Sequence, residues 1–372
     1  MRAAKLPVWA DLTLVPLANV VAAFFVSGLV VLAIGENPFN AMRVLISGSL
    51  GSLEGISFTL YYATNFIFTG LSVALAYRAG LFNIGAEGQA YLAGLGAALV
   101  CLSLPGLPAI ILLPLAIVAA GVFGAIWAMI PGWLQAKRGS HIVITTIMFN
   151  WIATSLMAWL LVNSMRAPGS MQPETKSFPP AALMPKFDGI LSLFGIAVPS
   201  SPLNVSFLLA LIAAAFVWLL VWRTRLGYEI RTLGANASAA DYAGIGTTRV
   251  IVITMGLSGM LAGGLAVNEV LGVQNRLLLE FTSGYGFVGI AVALMGRAHP
   301  VGVVLASLLF GMLYQGGAEL AFDQPRITRD MIVVIQGLVV LFAGALEGMF
   351  RTPIAAVLGL FRRTDEPDSR SA

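Results

Sequence analysis

Charge is what this sequence has least of. Asp, Glu, Lys and Arg make up 10% of its 372 residues, against roughly 25% in a soluble domain. Lysine is nearly absent: Lys5, Lys137, Lys176 and Lys186 are all there are, and none follows a glycine. The phrase G-x-x-x-x-G-K-[ST] therefore cannot occur. The chain has no Walker-type nucleotide site of its own, and any use of ATP needs a partner. Cys101 is the single cysteine, so no intrachain disulfide forms and the thiol reads as a small apolar filler. His141 and His299 stand apart, with no Cys or carboxylate at ligand spacing. That argues against a metal site. No nucleophile–base pair is evident, so no catalytic residue is assigned. The net charge of +4 comes without a long basic run. Nucleic acid is not an expected partner, and the basic residues are read as setting orientation in a membrane.

What remains is apolar. Hydrophobic residues make up 58% of the chain, and there are 40 glycines. Helices in lipid pack through small residues and tolerate glycine, so the composition predicts an all-α polytopic integral membrane protein. The basic start is followed by an apolar run from about Leu12 to Ile34. That run is too long for a signal-peptide core of about 7–15 residues, and it is expected to be a retained first span. A span needs about 20 mainly apolar residues. Candidates lie near 12–34, 56–77, 88–104, 109–131, 141–164, 204–222, 250–270, 285–297, 300–316 and 330–349. The short eighth and ninth are separated by "MGRAHP", where Pro300 is a natural breaker. With ten spans and the N-terminus inside, 14 of the 21 Lys and Arg residues fall inside. The positive-inside rule favours that orientation, with both termini cytoplasmic.

The connections follow from this topology, within a single transmembrane domain covering 1–372. Residues 35–55 lie outside, where Asn37 can cap a helix and Pro38 suits its first position. Phe39, Met42, Leu45, Ile46 and Leu50 then share a face, which predicts an interfacial outer helix. Residues 165–203 form an outer loop too broken by proline to span. Residues 223–249 form the longest cytoplasmic connection, and 350–372 a cytoplasmic tail.

Several patterns carry less than they first suggest. "GYGFVG" (284–289) matches G-x-G-x-x-G, yet neither a preceding strand nor a following ribose-binding acid is credible. Its glycines, like Gly259 and Gly263, read as sites of tight helix packing. "TGLSVALAYRAG" (69–80) aligns faintly with "VGIAVALMGRAH" (288–299), which hints at two related halves. Two helices carry polar stripes: Tyr62, Asn65, Thr69 and Ser72 on one, Thr146, Asn150 and Thr154 on the other. Each stripe either bonds neighbouring helices or lines a polar solute path. Glu87 and Glu269 are the carboxylates nearest a span, and no acid is placed mid-span. That argues against an ion-coupled carrier.

The stretch "AGLFNIGAEGQA" (79–90) is costly to place near hydrocarbon. Its glycines permit irregular backbone, and Asn83, Glu87 and Gln89 can bond the peptide groups so freed. Such backbone survives at membrane depth only when buried in protein or lining a cavity. A broken, re-entrant entry to the third span is the expectation.

These residues also carry a family likeness. "RAGLFNIGAEGQAYLAG" resembles the signature of ABC importer membrane subunits in the nucleoside and simple-sugar class, the nucleoside branch above all. Its marker positions here are Asn83, Gly85, Glu87, Gly88 and Gln89. "SHIVITTIMFNWIA" (140–153) and "LGANASAADYAGI" (233–245) are similar to further family segments. The resemblance implies a permease, multi-pass in a bacterial cytoplasmic membrane, that imports nucleosides by alternating access. It implies ATP and Mg bound by partner ATPase subunits and no cofactor in this chain. It also implies an extracytoplasmic binding protein and a second permease, a different but homologous chain. In such permeases a loop helix, often Glu-Ala-Ala, three residues, then Gly, docks on the ATPase. Ser238, Ala239, Ala240 and Gly244 fit that spacing, with Ser238 in place of the acid, and Gly234 and Asn236 precede it. Helical geometry and the family together suggest Asn65, Thr69, Thr146 and Asn150 for the ribose and Phe66 or Trp151 for the base. Competing readings are an importer of a free simple sugar such as ribose, one of branched-chain amino acids, and an ion-driven secondary carrier.

Overall fold

The computed structural model of the chain describes residue 7 and residues 14–192, 195, 199–324, 326–341 and 353–355. The apolar runs become helices because a backbone in hydrocarbon must satisfy its hydrogen bonds within the segment. Among the described residues the regular elements are all helical, and only two isolated β-bridges occur, Glu174 with Leu278 and Lys186 with Asn204. In chain order the helices are α1 (Leu14–Ala33), α2 (Pro38–Leu50), α3 (Leu53–Arg78), α4 (Ala86–Ser103), α5 (Ala109–Arg138), α6 (Ile142–Asn163), α7 (Phe187–Ser192), α8 (Ser206–Arg223), α9 (Arg225–Ala235), α10 (Ala237–Tyr242), α11 (Thr247–Ala266), α12 (Tyr285–Met295), α13 (Pro300–Asp323) and α14 (Arg329–Val340). A π-helical stretch, Val267–Gln274, prolongs α11. Six of the described helical segments are long and apolar enough to cross a membrane, or seven if the bent pair formed by Val21–Ala33 and Pro38–Leu50 is one span.

Local sequence sets the ends. Asn37 accepts a hydrogen bond from the Phe39 amide at 2.9 Å, ahead of Pro38. Ser52 and Thr224 cap α3 and α9 by accepting from Gly55 and Gly227, each at 3.0 Å. Pro131 does not end α5, which runs on to Arg138 and stops at left-handed Gly139. Pro300 opens α13 after the turn at Gly296–His299, in the position where a missing amide costs least.

Two compact units result. One comprises Ser49–Gln315. In it α11 lies against α5, with Gly259 so close that a Cβ there would sit 2.2 Å from the Gly124 carbonyl oxygen. Helices α3 and α11 run antiparallel, since Ser72 meets Ser258 while Tyr61 meets Glu269. Helices α3 and α12 run parallel: Thr69 lies at Gly289, Gly70 at Val292, and Arg78 bonds the carbonyls of Arg297 and Ala298. The two arms of the faint repeat thus pack side by side in one direction. The described residues of 165–203 stay irregular, apart from a turn at Pro180–Ala182 and the six-residue α7.

The other unit comprises Met1–Gly48 and Gly316–Ala372. Its described core is Val31, Ala41, Leu320, Ile327, Ile332 and Ile335. Arg326 pairs with Glu36 at 3.7 Å. Most of the 350–372 tail, and residues 342–349 of the last expected span, lie outside the described residues.

Candidate functional site

The chain breaks after α3. Arg78 ends the helix, Gly80 turns left-handed at φ +73°, and α4 starts only at Ala86. Polar side chains take up the freed peptide groups, as buried backbone requires. Asn83 accepts from the Gly85 amide at 2.8 Å and donates to Gln89 and Ser258 at 3.0 and 2.8 Å. Asn150 of α6 closes the other side. Its Oδ1 accepts from the Gly88 amide and its Nδ2 donates to the Ile84 carbonyl, both at 2.9 Å. The amide, the carboxylate and the glycines of residues 79–90 therefore build a buried, irregular break in place of a helical turn.

This segment climbs to the middle of the helices. The Gln89 carbonyl lies beside Gly124, halfway along the 30-residue α5. Glu87 is buried and accepts three hydrogen bonds: from the Thr282 hydroxyl at 2.5 Å, the Gly284 amide at 3.0 Å and the Gly286 amide at 2.8 Å. It thereby caps α12, an 11-residue half-helix, with a negative charge at the positive end of its dipole. Close approach demands a glycine opposite: a Cβ on Gly286 would fall 2.4 Å from the Glu87 amide nitrogen. Left-handed backbone flanks the half-helix at both ends, with Glu280 (φ 60°) and Ser283 (φ 47°) before it and Arg297 (φ 52°) and Ala298 (φ 48°) after it. Non-glycine residues in this region are uncommon and cluster where a site is held under constraint.

A second buried network joins α3 to the end of α11. Glu269 accepts from the Tyr61 hydroxyl at 2.6 Å and from Asn65 at 2.5 Å. Asn268 donates to the Asn65 side-chain oxygen at 2.8 Å and accepts from Asn204 and Ser206 at 2.9 and 2.6 Å. The sequence reading put no acid mid-span. Glu269 lies five residues before the end of the apolar segment Thr247–Gln274, and Glu87 sits on the broken chain two residues before the Gln89 carbonyl that meets the middle of α5. Both are tolerated because hydrogen bonds surround them.

A cavity of about 520 Å³ opens beside Glu87 and the start of α12. Tyr91, Trp151 and Phe287 give it aromatic walls, and Asn150, Thr154, Thr282 and Ser283 supply amide and hydroxyl groups. Of the six residues expected along a solute path, Asn150 and Trp151 line this cavity. Trp151 keeps 69% of its surface exposed. The other four lie elsewhere. Asn65 belongs to the Glu269 network, and Thr69 donates to the Asn65 carbonyl of its own helix at 2.9 Å. Thr146 donates to the Ile142 carbonyl at 2.8 Å and accepts from the Ile84 amide at 3.4 Å. Phe66 is buried among Tyr285, Phe310 and Tyr314. Tyr91, Thr282, Ser283 and Phe287 were not anticipated. The signal for three of them was the phrase "TSGYGF", a helix start after two hydroxyl residues, which the packing reading of its glycines left unused.

On the far side of the break, Gly234 ends α9 against the Arg78 carbonyl. Asn236 caps α10 by accepting from the Ala239 amide at 3.0 Å. Ser238 and Ala239 are exposed on α10, Ala240 is buried beneath it, and left-handed Gly244 (φ +75°) follows.

Broken helices, a polar interior and a side cavity define a multi-pass helical membrane protein built for transport. A model of the permease component of branched-chain amino acid transport systems matches residues 55–344, and the chain belongs to that permease family. It is 36% identical over 330 residues to the glucose ABC transporter permease protein of Haloferax volcanii, covering 88% of this chain and 86% of the relative. It is 33% identical over 330 residues to the nucleoside ABC transporter permease protein of Lactococcus lactis subsp. cremoris, covering 88% and 90%. Against the guanosine ABC transporter permease protein of Bacillus subtilis it is 33% identical over 335 residues, covering 89% and 93%. The chain is the permease component of an ABC importer, and the ion-driven carrier reading falls.

Proposed function

We propose that this permease carries nucleosides, purine nucleosides first among them, across a bacterial cytoplasmic membrane. The observation that carries the reading is the cavity beside Glu87. Its volume of about 520 Å³ lies within the range of about 300–1,000 Å³ usual for small-molecule sites. Aromatic faces at Tyr91, Trp151 and Phe287 suit a base, and Asn150, Thr154 and Ser283 suit a hydroxylated sugar. The nucleoside and guanosine permeases among the relatives support it. Asn65, Phe66, Thr69 and Thr146 then act one layer behind the cavity wall, holding the helices that carry it.

In this reading ten spans place both termini in the cytoplasm, α2 at the outer interface and 165–203 outside. The 223–249 connection docks on an ATPase through α10, with exposed Ala239 and Gly244 permitting close approach while Ala240 anchors the helix from below. ATP and Mg bind on that partner. An extracytoplasmic binding protein delivers the solute, and a second, homologous permease chain completes the path.

A free simple sugar is the second reading, favoured by the glucose permease at 36% identity. Uptake of radiolabelled guanosine, adenosine, uridine, glucose and ribose decides between them, in cells with and without the chain and with and without ATP depletion. Loss of ATP-dependent purine uptake alone is the expected result. Loss of glucose or ribose uptake alone sinks the nucleoside reading.

A further inference from the structure

One short segment touches three things at once: the cytoplasmic-loop helices, both ends of α12, and the cavity. Gly234 of α9 lies against the break after α3. A Cβ there would fall 2.2 Å from the Arg78 carbonyl oxygen and 3.0 Å from the Gly80 amide nitrogen. No side chain fits, so α9 and the break are in backbone contact. Arg78 reaches the far end of α12, donating to the Ala298 carbonyl at 2.9 Å and the Arg297 carbonyl at 3.2 Å. Its guanidinium also stacks on Trp222 at 5.1 Å, which fixes the direction of that reach. Nine residues on, Glu87 holds the near end through the Gly284 and Gly286 amides. Residues 78–87 thus grip the half-helix at its start and its finish. Left-handed residues bound α12 at both ends, and it packs on α3 through Gly70 and Gly289, so a grip on its start and finish acts on the whole element of about 16 Å.

We propose that Arg78–Glu87 is a lever. It carries displacement of the α9–α10 loop to α12, and so to the cavity wall formed by Gly284 and Phe287. Gly234, Arg78 and Glu87 are positioning residues that act through α12 and need not touch solute. This rests on the importer reading above.

The test uses the assembled importer, with its ATPases, partner permease and binding protein, in proteoliposomes. The parent carries Cys101→Ala and Ser283→Cys, so the cavity holds the chain's one thiol. Uptake, ATP hydrolysis and the rate of labelling by a water-soluble maleimide are read together. In the parent, ATP with Mg is expected to change the labelling rate several-fold. Gly234→Ala is expected to keep hydrolysing ATP while uptake falls about tenfold or more and labelling stops responding to ATP. If that variant does not assemble, Arg78→Lys decides, because it keeps the charge and loses the paired grip on Arg297 and Ala298. A variant complex that hydrolyses ATP and still shows the full labelling response overturns the lever. So does a parent that transports while its labelling ignores ATP. If the same assembly with the unsubstituted chain shows no ATP-driven uptake, the importer reading itself is overturned, and the lever with it.

Discussion

Asn150 does two jobs with one amide. It accepts from Gly88 and donates to Ile84, and no other residue type offers both groups at that length except the longer Gln. Asn150→Ala leaves the buried Gly88 amide without its partner, at about 1–3 kcal/mol, and frees the half-buried Ile84 carbonyl. The expected outcome is a lower unfolding midpoint in detergent together with reduced uptake. An Asn150→Ala protein that melts with the parent would refute the clamp. Glu269 predicts a sharper contrast. Tyr61 and Asn65 converge on one oxygen, with Gln274 a further side-chain partner of the carboxylate, and a glutamine offers the Tyr61 and Asn65 donors that oxygen without charge. Glu269→Gln is expected to fold and transport near parental levels, whereas Glu269→Ala strands the tyrosine and asparagine and loses both. If Gln is as damaging as Ala, the negative charge itself matters, and the network is more than a strut between α3 and α11.

Helix α12 is where one residue decides the fate of an element. Its first turn exposes amides that no intrahelical carbonyl can satisfy, and Glu87 takes two of them. Hydrogen bonds to a charged group are each worth about 1.5–3 kcal/mol, so Glu87→Ala is expected to release the start of α12. Uptake at equal expression should fall by about tenfold or more. Glu87→Gln keeps one acceptor oxygen and should retain part of it. Equal activity in all three proteins would mean that the cap is idle. How much of this was legible in the sequence differs by element. The helices were, because runs of apolar residues admit little else in lipid. The break at 79–90 was also legible, since three polar side chains among glycines needed backbone to bond. The depth of Glu87 was not. A hydropathy profile assigns a polar residue to a span's edge, and a chain that climbs back into the protein before restarting its helix defeats that rule. The stripe on α6 was found but not resolved: Thr146 serves backbone, Asn150 clamps, and Thr154 lines the cavity. Spacing puts such residues on one face and says nothing of partners about 200 positions away, such as Glu269 for Asn65.

At the scale of the whole molecule the open question is which face of the membrane each connection meets. Residues 165–203 and 223–249 are joined by α8, whose 18 residues span about 27 Å. With slight bilayer thinning that matches a hydrocarbon core of about 30 Å, and α8 is among the six segments apolar enough to cross. One crossing puts the two connections on opposite sides. Fourteen of the 21 basic residues fall on the 223–249 side under the ten-span reading, so the positive-inside rule predicts that side to be cytoplasmic. Met171 and Tyr242 are both 95% exposed and make good reporters in a Cys101→Ala background. In intact cells, a membrane-impermeant thiol reagent is expected to label Met171→Cys and leave Tyr242→Cys unmodified until the membrane is permeabilised. Labelling of both from outside would mean that α8 does not cross. Labelling of Tyr242→Cys alone would invert the protein, and it would remove α9–α10 from any contact with an ATPase.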